Sequence, residues 1–313
     1  MRNHLFIMLV LGGFVSVTAC SAEPNVPTAD EVNKMEAAMP DKPRAMPAKP
    51  RKLLVFSVSH GYYHTAIPYG QAAFRIMGEK TGAFEATVSD DISMFEPNKL
   101  EQFDAVVFNN TNEEVFWPET IKGLTYGQYA EAMNRDRALK KSLADFIAGG
   151  KGLVVVHAGS NCFREWYEYG NILGARFDNH PWEAGSKVTL KIEEPNHPLT
   201  AAFTKQDYNL TEETYQHKDP YSRENVRVLL SIDPKRTCVM LDHVSWVHRK
   251  DNDFAITWIK SYGKGRVFYC AIGHQHEHFW NPVILQHYLD GIQFTLGDLE
   301  ADTTPSAKLK AGK

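Results

Sequence analysis

The stretch Gly152-Leu-Val-Val-Val156-His157-Ala158-Gly159 contains the most strongly β-branched run of the chain. A continuous apolar run of this length predicts a strand covered on both faces, as in a parallel sheet. Similar runs at residues 53–58 and 105–108 predict further buried strands, and 84–88 predicts a short one. The fold is therefore expected to be built on parallel strands.

Segments with helical patterns separate these strands. Residues 68–80 begin with a proline in the first turn, 139–148 are amphipathic, and 281–296 end at Gly297. Apolar strands that alternate with helices predict an α/β doubly wound sheet, mostly parallel. In the second half, polar and apolar residues alternate instead, which predicts appended antiparallel strands at 187–192 and 226–232 and a hairpin of 255–262 with 266–271.

Composition excludes several classes of function. The 313 residues include 34 Lys and Arg against 38 Asp and Glu, for a net charge of −4 without a long run of one sign. A nucleic-acid partner is therefore not expected. The chain has no Gly-x-Gly-x-x-Gly after the first strand, no P-loop and no Gly-x-Ser-x-Gly, so neither a nucleotide cofactor nor serine-hydrolase chemistry is expected.

The first residues predict export. A short positively charged start precedes an apolar run at 5–17, so 1–19 is interpreted as a signal peptide. Val17-Thr-Ala-Cys20 resembles the lipobox of bacterial lipoproteins, which implies lipidation of Cys20. Ordinary secretion with cleavage nearby is the alternative. The expected location is the bacterial cell envelope, lipid-anchored at the outer membrane and facing the periplasm, with membrane contact through the lipid only.

The remaining segments complete the domain prediction. Residues 20–50 are rich in Ala, Pro and Lys and are interpreted as an extended linker, and 300–313 as a disordered tail. One domain then spans 51–299. The mature thiols would be Cys162, Cys238 and Cys270, for which an oxidising compartment permits a disulfide without requiring one.

Histidines at strand ends are the most informative feature. His60, His157 and His274 each follow a predicted strand and have a glycine nearby. In open α/β sheets ligands bind beyond the carboxyl ends of the strands, so these side chains are expected to share a site. The alternative for each one is a surface or hydrogen-bonded histidine without function.

Imidazole suits metal binding and acid–base chemistry. Glu213 adds a carboxylate and Tyr215 a phenol, so His157, Glu213 and Tyr215 are predicted to be catalytic. A divalent metal, zinc first, is expected on a set drawn from His60, His157, Glu213 and His274. His276 and His278 are interpreted either as a further metal arm or as members of an exposed polar loop.

Six short motifs occur in order along the chain: Ser59-His-Gly-Tyr-Tyr-His64, Val156-His-Ala-Gly-Ser160, Asn179-His-Pro-Trp182, Asn196-His-Pro-Leu-Thr200, Glu212-Glu-Thr-Tyr215 and Gly273-His-Gln-His-Glu-His-Phe-Trp280. The series resembles the ThuA-like (trehalose utilisation) family over about residues 51–298. The resemblance implies the flavodoxin-like fold of class I glutamine amidotransferases without their catalytic cysteine. It also implies a role in carbohydrate metabolism, often beside sugar oxidoreductases that make 3-keto-glycosides.

These motifs complete the predicted site. His64 and His180 match the first and third motifs. Aromatic rings flanked by amides suit the binding of sugars, because the rings stack on the apolar face of a sugar while the amides bind its hydroxyl groups. The residues expected to bind substrate are His64, Asn110, His180, Trp182 and Trp280.

Three hypotheses for the function remain open. The first is an enzyme that acts on a glycoside or 3-keto-glycoside by hydrolysis, elimination or isomerisation. In that case a base such as His157 or Glu213 takes the C–H proton beside the keto group, and a metal stabilises the resulting oxyanion. The second is a non-catalytic sugar-binding lipoprotein that partners a sugar-processing enzyme, and the third is a structural envelope domain.

Overall fold

The computed structural model describes residues 26–204 and 207–309. Its strands, in chain order, are β1 (Lys52–Phe56), β2 (Glu85–Val88), β3 (Ala105–Asn109), β4 (Gly152–Val156), β5 (Arg176–Trp182), β6 (Lys187–Ile192), β7 (Asp207–Thr211), β8 (Thr214–Lys218), β9 (Arg227–Ile232), β10 (Ala255–Tyr262) and β11 (Gly265–Cys270). Its α-helices are α1 (Ala29–Ala38), α2 (Ile67–Thr81), α3 (Pro97–Leu100), α4 (Tyr126–Ala148), α5 (Tyr167–Leu173) and α6 (Pro282–Leu296). Among the described helices, none has the length and apolar composition that a membrane span requires.

One nine-stranded sheet forms the centre, in the order β2-β1-β3-β4-β11-β10-β9-β6-β7, and β5 pairs with β8 separately. The first five strands in this order pair with one another in parallel, and the remaining pairs are antiparallel. Strand β11 joins the two halves, because it runs parallel to β4 and antiparallel to β10. The parallel part has the flavodoxin-like strand order, so the predicted fold class is confirmed.

Burial explains why the strands were visible in the sequence. Every residue of β3 and of β4 is buried, as continuous apolar runs predict. Helix α2 lies against β2 and β3, and α6 lies against β4 and β11. The left-handed residues Gly82 and Gly297 end these two helices, as predicted.

Helix α4 begins at Tyr126 and not at Leu139, where the apolar pattern starts. Thr125 and Gln128 form a capping box at this earlier end. The first turns of the helix are mostly exposed, and the first buried side chain is Asp136. Because hydrophobic periodicity reports only a face that packs, it could not reveal these turns.

The prediction of a linker at 20–50 is wrong for the part that is described. Helix α1 starts with a capping box between Thr28 and Glu31, and its Met35 is fully buried against the domain. The proline-rich chain that follows is held to the domain by ion pairs. In one of them, Arg44 Nε lies 2.7 Å from Asp290 Oδ1. Composition does not reveal specific long-range partners of this kind.

The prediction of a disordered tail at 300–313 is wrong for residues 300–309. Asp302 Oδ2 lies 2.9 Å from Arg227 Nη1, and Ser306 N–H donates to the carbonyl oxygen of Val226 at 3.0 Å. These contacts attach a polar segment to the antiparallel half of the sheet. Residues 310–313, like the predicted signal peptide and Cys20, lie outside the described residues. Cys162, Cys238 and Cys270 are free thiols.

Candidate functional site

The loops that follow β1, β4 and β11, at the carboxyl ends of these strands, each carry a histidine of the candidate site. His64 follows β1, His157 follows β4, and His274 follows β11. Glu213, from the turn between β7 and β8, enters the same place. One ligand atom from each of these four residues lies within 4.8 Å of all the others. We call this set the histidine cluster.

His157 is held in a defined tautomer. Its backbone lies in the left-handed region with φ of 47°. Its Nδ1 lies 2.6 Å from the carbonyl oxygen of Ala271, and because a carbonyl oxygen only accepts, Nδ1 carries the proton. Nε2 therefore faces the cluster, where the Tyr215 hydroxyl oxygen lies 2.6 Å away.

Glu213 is the centre of the cluster. Its Oε2 lies 3.1 Å from His157 Nε2, 3.3 Å from His274 Nδ1 and 3.9 Å from His64 Nε2. Burial alone would raise the pKa of Glu213, but the imidazoles of His157, His274 and His64 beside it outweigh burial and hold this pKa well below its usual range. Glu213 is therefore a buried carboxylate anion.

The imidazoles around this anion differ in charge preference. Burial lowers the pKa of His64 to about 4, so its ring is neutral near pH 7. Burial also lowers the pKa of His274, but the Glu213 carboxylate beside it outweighs this and raises the pKa above its ordinary value. The cluster thus combines one carboxylate anion with three imidazoles, a donor set that can hold a cation.

The donor set fits a divalent metal. In a tetrahedral zinc site, ligand atoms about 2.0–2.2 Å from the metal stand roughly 3.4 Å from each other. The distances from Glu213 Oε2 to the three imidazole nitrogens span this value. His274 Nδ1 is also buried without a hydrogen-bond partner in the structure, as a nitrogen free to bind a metal would be. The hydrogen bond from His157 Nδ1 to a carbonyl is the second-sphere contact typical of metal-bound histidine.

Glu212, fully buried, positions the loop that carries His274. Its carboxylate accepts hydrogen bonds from the backbone N–H groups of Gly273 and His274 at 3.2 and 3.1 Å. His278 Nε2 lies 2.6 Å from the same carboxylate, so His278 is part of a buried contact and not of an exposed polar loop. Sequence reasoning assigned no role to Glu212. Its only signal was its position directly before Glu213.

Gly273 is required where β11 meets the end of β4. A Cβ there would lie 2.9 Å from Val156 Cγ1 and 3.2 Å from His157 Cβ, closer than side chains pack. The absence of a side chain at Gly273 therefore permits this close approach. The positive φ near β4, by contrast, belongs to His157 itself.

The histidine cluster forms one wall of a cavity of about 440 Å³. Its other walls include Tyr62, Asn112, Glu113, Asn161, Phe177 and His180. His180 Nδ1 lies 3.6 Å from Glu213 Oε1, at the mouth of the cluster. The structure therefore brings together six of the residues singled out in the sequence: His64, His157, His180, Glu213, Tyr215 and His274.

His60 was predicted as a metal ligand, and the structure contradicts this. Backbone pairing of Ser59 with Asn112 turns its ring outward, where Nδ1 lies 3.2 Å from the carbonyl oxygen of Glu114. His60 lines a separate cavity with Trp117. The chain then reverses before α2, and His64 reaches the cluster in its place.

The predicted sugar-stacking tryptophans also lie elsewhere. Trp182 is buried and packs edge-on against Phe254, with ring centroids 4.9 Å apart. Trp280 faces helix α1, where Lys34 Nζ lies 5.5 Å from its ring centroid. Neither ring lines the cavity beside the cluster.

Asn110 and His276 surround the site without facing it. Asn110 is buried, and its Nδ2 donates to the carbonyl oxygen of Gly273 at 3.2 Å, so it supports the loop that carries His274. His276 stacks on Tyr69 with centroids 3.9 Å apart, and its Nε2 lies 2.8 Å from Thr65 Oγ1. His276 is therefore engaged outside the cluster.

Comparison with known proteins places this architecture in a family. A ThuA-like protein from Bacteroides uniformis ATCC 8492 has a similar fold, with a TM-score of 0.58 and 21% identity over 80% of this chain and 94% of that chain. A ThuA-like protein from Parabacteroides merdae ATCC 43184 follows, with a TM-score of 0.51 and 14% identity over 81% of this chain and 93% of that chain. No curated protein matches the chain in sequence. The ThuA family model, described as trehalose utilisation, matches residues 52–295, and this chain therefore belongs to the ThuA family of carbohydrate metabolism.

Proposed function

We propose that this ThuA-family protein is a divalent-metal-dependent enzyme acting on a glycoside or a 3-keto-glycoside. The observation that carries the proposal is the convergence of ligand atoms from His64, His157, His274 and Glu213 within 4.8 Å of one another. Three imidazoles and one carboxylate are a donor set that zinc accepts, so zinc is the first candidate. Bound there, the metal would supply Lewis-acid stabilisation to an oxygen that becomes negative during the reaction.

Tyr215 would assist as a hydrogen-bond donor. Burial, together with the negative charge of Glu213, raises the pKa of Tyr215 well above its ordinary value, so the phenol stays protonated. Its hydroxyl oxygen lies 2.6 Å from His157 Nε2, at the cluster. A neutral donor in a buried site suits the stabilisation of a developing oxyanion.

His180 would move the proton. Its side chain is 37% exposed, and Nδ1 has no hydrogen-bond partner in the structure. Because its imidazole lines the cavity, it can reach a substrate bound there and act as an acid or base. Since His157 and Glu213 would be engaged as ligands, we assign to His180 the base role that the sequence suggested for them.

This chemistry suits a keto-sugar. A carbonyl in the ring makes the neighbouring C–H acidic, so that one base and one oxyanion-stabilising group are enough for elimination or isomerisation. A sugar oxidoreductase would supply such a substrate, and it is the partner we propose. A non-catalytic sugar-binding protein needs hydroxyl-binding groups, but it does not need a buried carboxylate surrounded by imidazoles, whose desolvation is unfavourable.

Turnover tests the proposal directly. Untagged protein is incubated with a panel of glycosides and 3-keto-glycosides, before and after removal of metal by a chelator, and products are identified by NMR. We expect turnover that is lost with the metal, restored by added zinc, and abolished in His157→Ala. His60→Ala is the matched control and should retain turnover, because His60 faces a different cavity. Equal turnover in His157→Ala and the wild type would contradict the proposal.

We also propose that the protein is anchored in the envelope through Cys20. The support is the apolar run and the lipobox-like Val17-Thr-Ala-Cys20. Labelling of cells with a radioactive fatty acid should mark the wild type and the control Cys238→Ala, but not Cys20→Ala. Label in Cys20→Ala, or none in the wild type, would contradict the anchor.

A further inference from the structure

Positive φ angles are concentrated in the two loops that follow β3 and β4. Among the described residues, five that are not glycine have φ between 47° and 63°: Asn110, Glu113, His157, Phe163 and Asn252. The first four lie in the two loops that follow β3 and β4. A residue with a side chain is strained in this region, and such strain persists where the surrounding structure enforces it. Three of these four have an evident structural or cluster role.

Asn110 supports Gly273, His157 belongs to the histidine cluster, and Phe163 packs in the aromatic core. Glu113 is different, because its side chain is 34% exposed and its one ion pair is with the half-exposed Arg164. An exposed ion pair of this kind adds little to stability. Folding alone therefore gives no reason to keep a glutamate with φ of 63° at this position.

Three contacts hold Glu113 in place nonetheless. Its N–H donates to the carbonyl oxygen of Asn161 at 3.3 Å, and its own carbonyl oxygen accepts from Phe163 N–H at 3.0 Å. Gly61 provides the space for its side chain, since a Cβ at Gly61 would lie 2.7 Å from Glu113 Cγ. Arg164 Nη1 then donates to Oε1 at 3.0 Å, which orients the carboxylate.

Two acceptor oxygens are left without partners at this wall of the cavity. No described residue donates to Glu113 Oε2, and Asn161 Oδ1 is buried without a partner in the structure. The orientation of the Asn161 amide is set by its Nδ2, which donates to Asn112 Oδ1 at 2.7 Å. Glu113 and Asn161 both line the cavity that the histidine cluster closes. A ligand that satisfies both oxygens must bring at least two O–H or N–H donors.

We propose that Glu113 and Asn161 are specificity-determining residues that accept hydrogen bonds from two hydroxyl groups of the sugar unit bound at the histidine cluster. The inference rests on the proposed function and adds the residues that recognise the sugar. A hydroxyl that donates to a carboxylate makes a charge-assisted hydrogen bond, so Glu113 contributes the larger share. The backbone strain at Glu113 thus serves binding and not stability.

The test uses the relief of strain. Glu113→Gly removes the carboxylate and accepts positive φ, so we expect an unchanged or higher Tm, unchanged metal content, and a KM raised about 10- to 100-fold. Glu113→Gln keeps the shape but not the charge, and should raise KM by less. Asn252→Gly is the matched control: it has the same kind of φ in a loop away from the cavity, and it should keep the wild-type KM.

The outcomes separate the two proposals. Wild-type turnover with an unchanged KM in Glu113→Gly would overturn this inference and leave the metal-dependent function standing. A Tm lowered by several degrees in Glu113→Gly, with KM unchanged, would assign the residue to folding. A wild type that turns over no member of the glycoside panel would overturn the proposed function itself, and this inference with it.

Discussion

Two cavities in this protein gather charged side chains, and they differ in how those charges are balanced. The first, of about 510 Å³, lies on the antiparallel half of the sheet and includes Glu193, Arg223 and Asp253. The second, of about 440 Å³, is closed by the histidine cluster at the carboxyl ends of the parallel strands. We call the first the arginine cavity. The arginine cavity is the larger of the two, but its positive and negative side chains already form ion pairs with one another.

In the arginine cavity the carboxylates are paired with a guanidinium group, because Arg223 contacts both Glu193 and Asp253. Arg223 Nη2 lies 2.9 Å from Glu193 Oε1 and 2.8 Å from Asp253 Oδ1, and the Tyr221 hydroxyl donates to the other oxygen of Asp253. Burial would raise the pKa of Glu193, but Arg223 and its neighbours lower it on balance. In the histidine cluster, by contrast, the carboxylate of Glu213 lies among imidazoles, and no described Arg or Lys side chain pairs with it. The comparison teaches that incomplete charge balance, and not cavity size, marks the candidate site.

The largest expected effect comes from removing the central anion of each cavity. Glu213→Gln should lose bound metal and reduce turnover on the order of 10²–10³-fold, because the ligand set loses its only charge. Glu193→Gln is the matched substitution in the arginine cavity and should keep both metal and turnover while unfolding more easily. Metal analysis, NMR turnover and urea unfolding of the two variants decide this. Equal turnover in both would remove the distinction between the cavities.

A smaller effect is expected when the cation is removed instead. Arg223→Leu removes the guanidinium group that Glu193 and Asp253 share, which should lower the free energy of unfolding by about 2 kcal/mol, since both carboxylates are largely buried. Turnover should not change. Urea unfolding at pH 7 measures the effect, and Lys191→Leu, whose ammonium group is more exposed, serves as the control and should lose less. No loss of stability in Arg223→Leu would show that the arginine cavity is not a structural ion-pair network.

The sequence revealed the parallel strands but not all of what connects them. Continuous apolar runs such as Gly152–Val156 are buried on both faces, and a strand buried in this way can be recognised from its uninterrupted apolar residues. The packing of residues 26–50 depends on pairs such as Arg44 with Asp290, which stand far apart in sequence and show no local pattern. The start of α4 was missed for a related reason, because its exposed turns have no apolar face to detect.

The candidate site was predicted at the correct end of the sheet, with some of its members wrong. Position after a strand identifies His157 and His274, because the strand delivers them directly to the sheet edge. His60 and His64 have the same side chain, so their chemistry could not show which of them reaches the cluster. That depends on how the chain turns between β1 and α2. Glu113 could not be found from sequence, since its distinguishing property is a backbone angle.

The last effect is negligible at pH 7, grows only as the pH falls, and concerns a histidine outside both cavities. Burial lowers the pKa of His287 to about 4, against 6.5 for an exposed ring, so the folded state binds fewer protons than the unfolded state between these values. Stability supplied by the neutral ring is therefore complete above about pH 7 and decreases as the pH falls toward 4, by about 2 kcal/mol at pH 5. His287→Gln should flatten this pH dependence in urea unfolding at pH 7 and pH 5. An equally steep loss in His287→Gln would show that other groups carry it.

The metal content of untagged wild-type protein, measured by elemental analysis after equilibration with zinc and removal of free ions, tests the central claim most directly. The account predicts about one tightly held divalent metal per chain, with a mixed imidazole and carboxylate ligand sphere by X-ray absorption. Protein that retains no metal after this treatment, or whose metal has no nitrogen ligands, would contradict it.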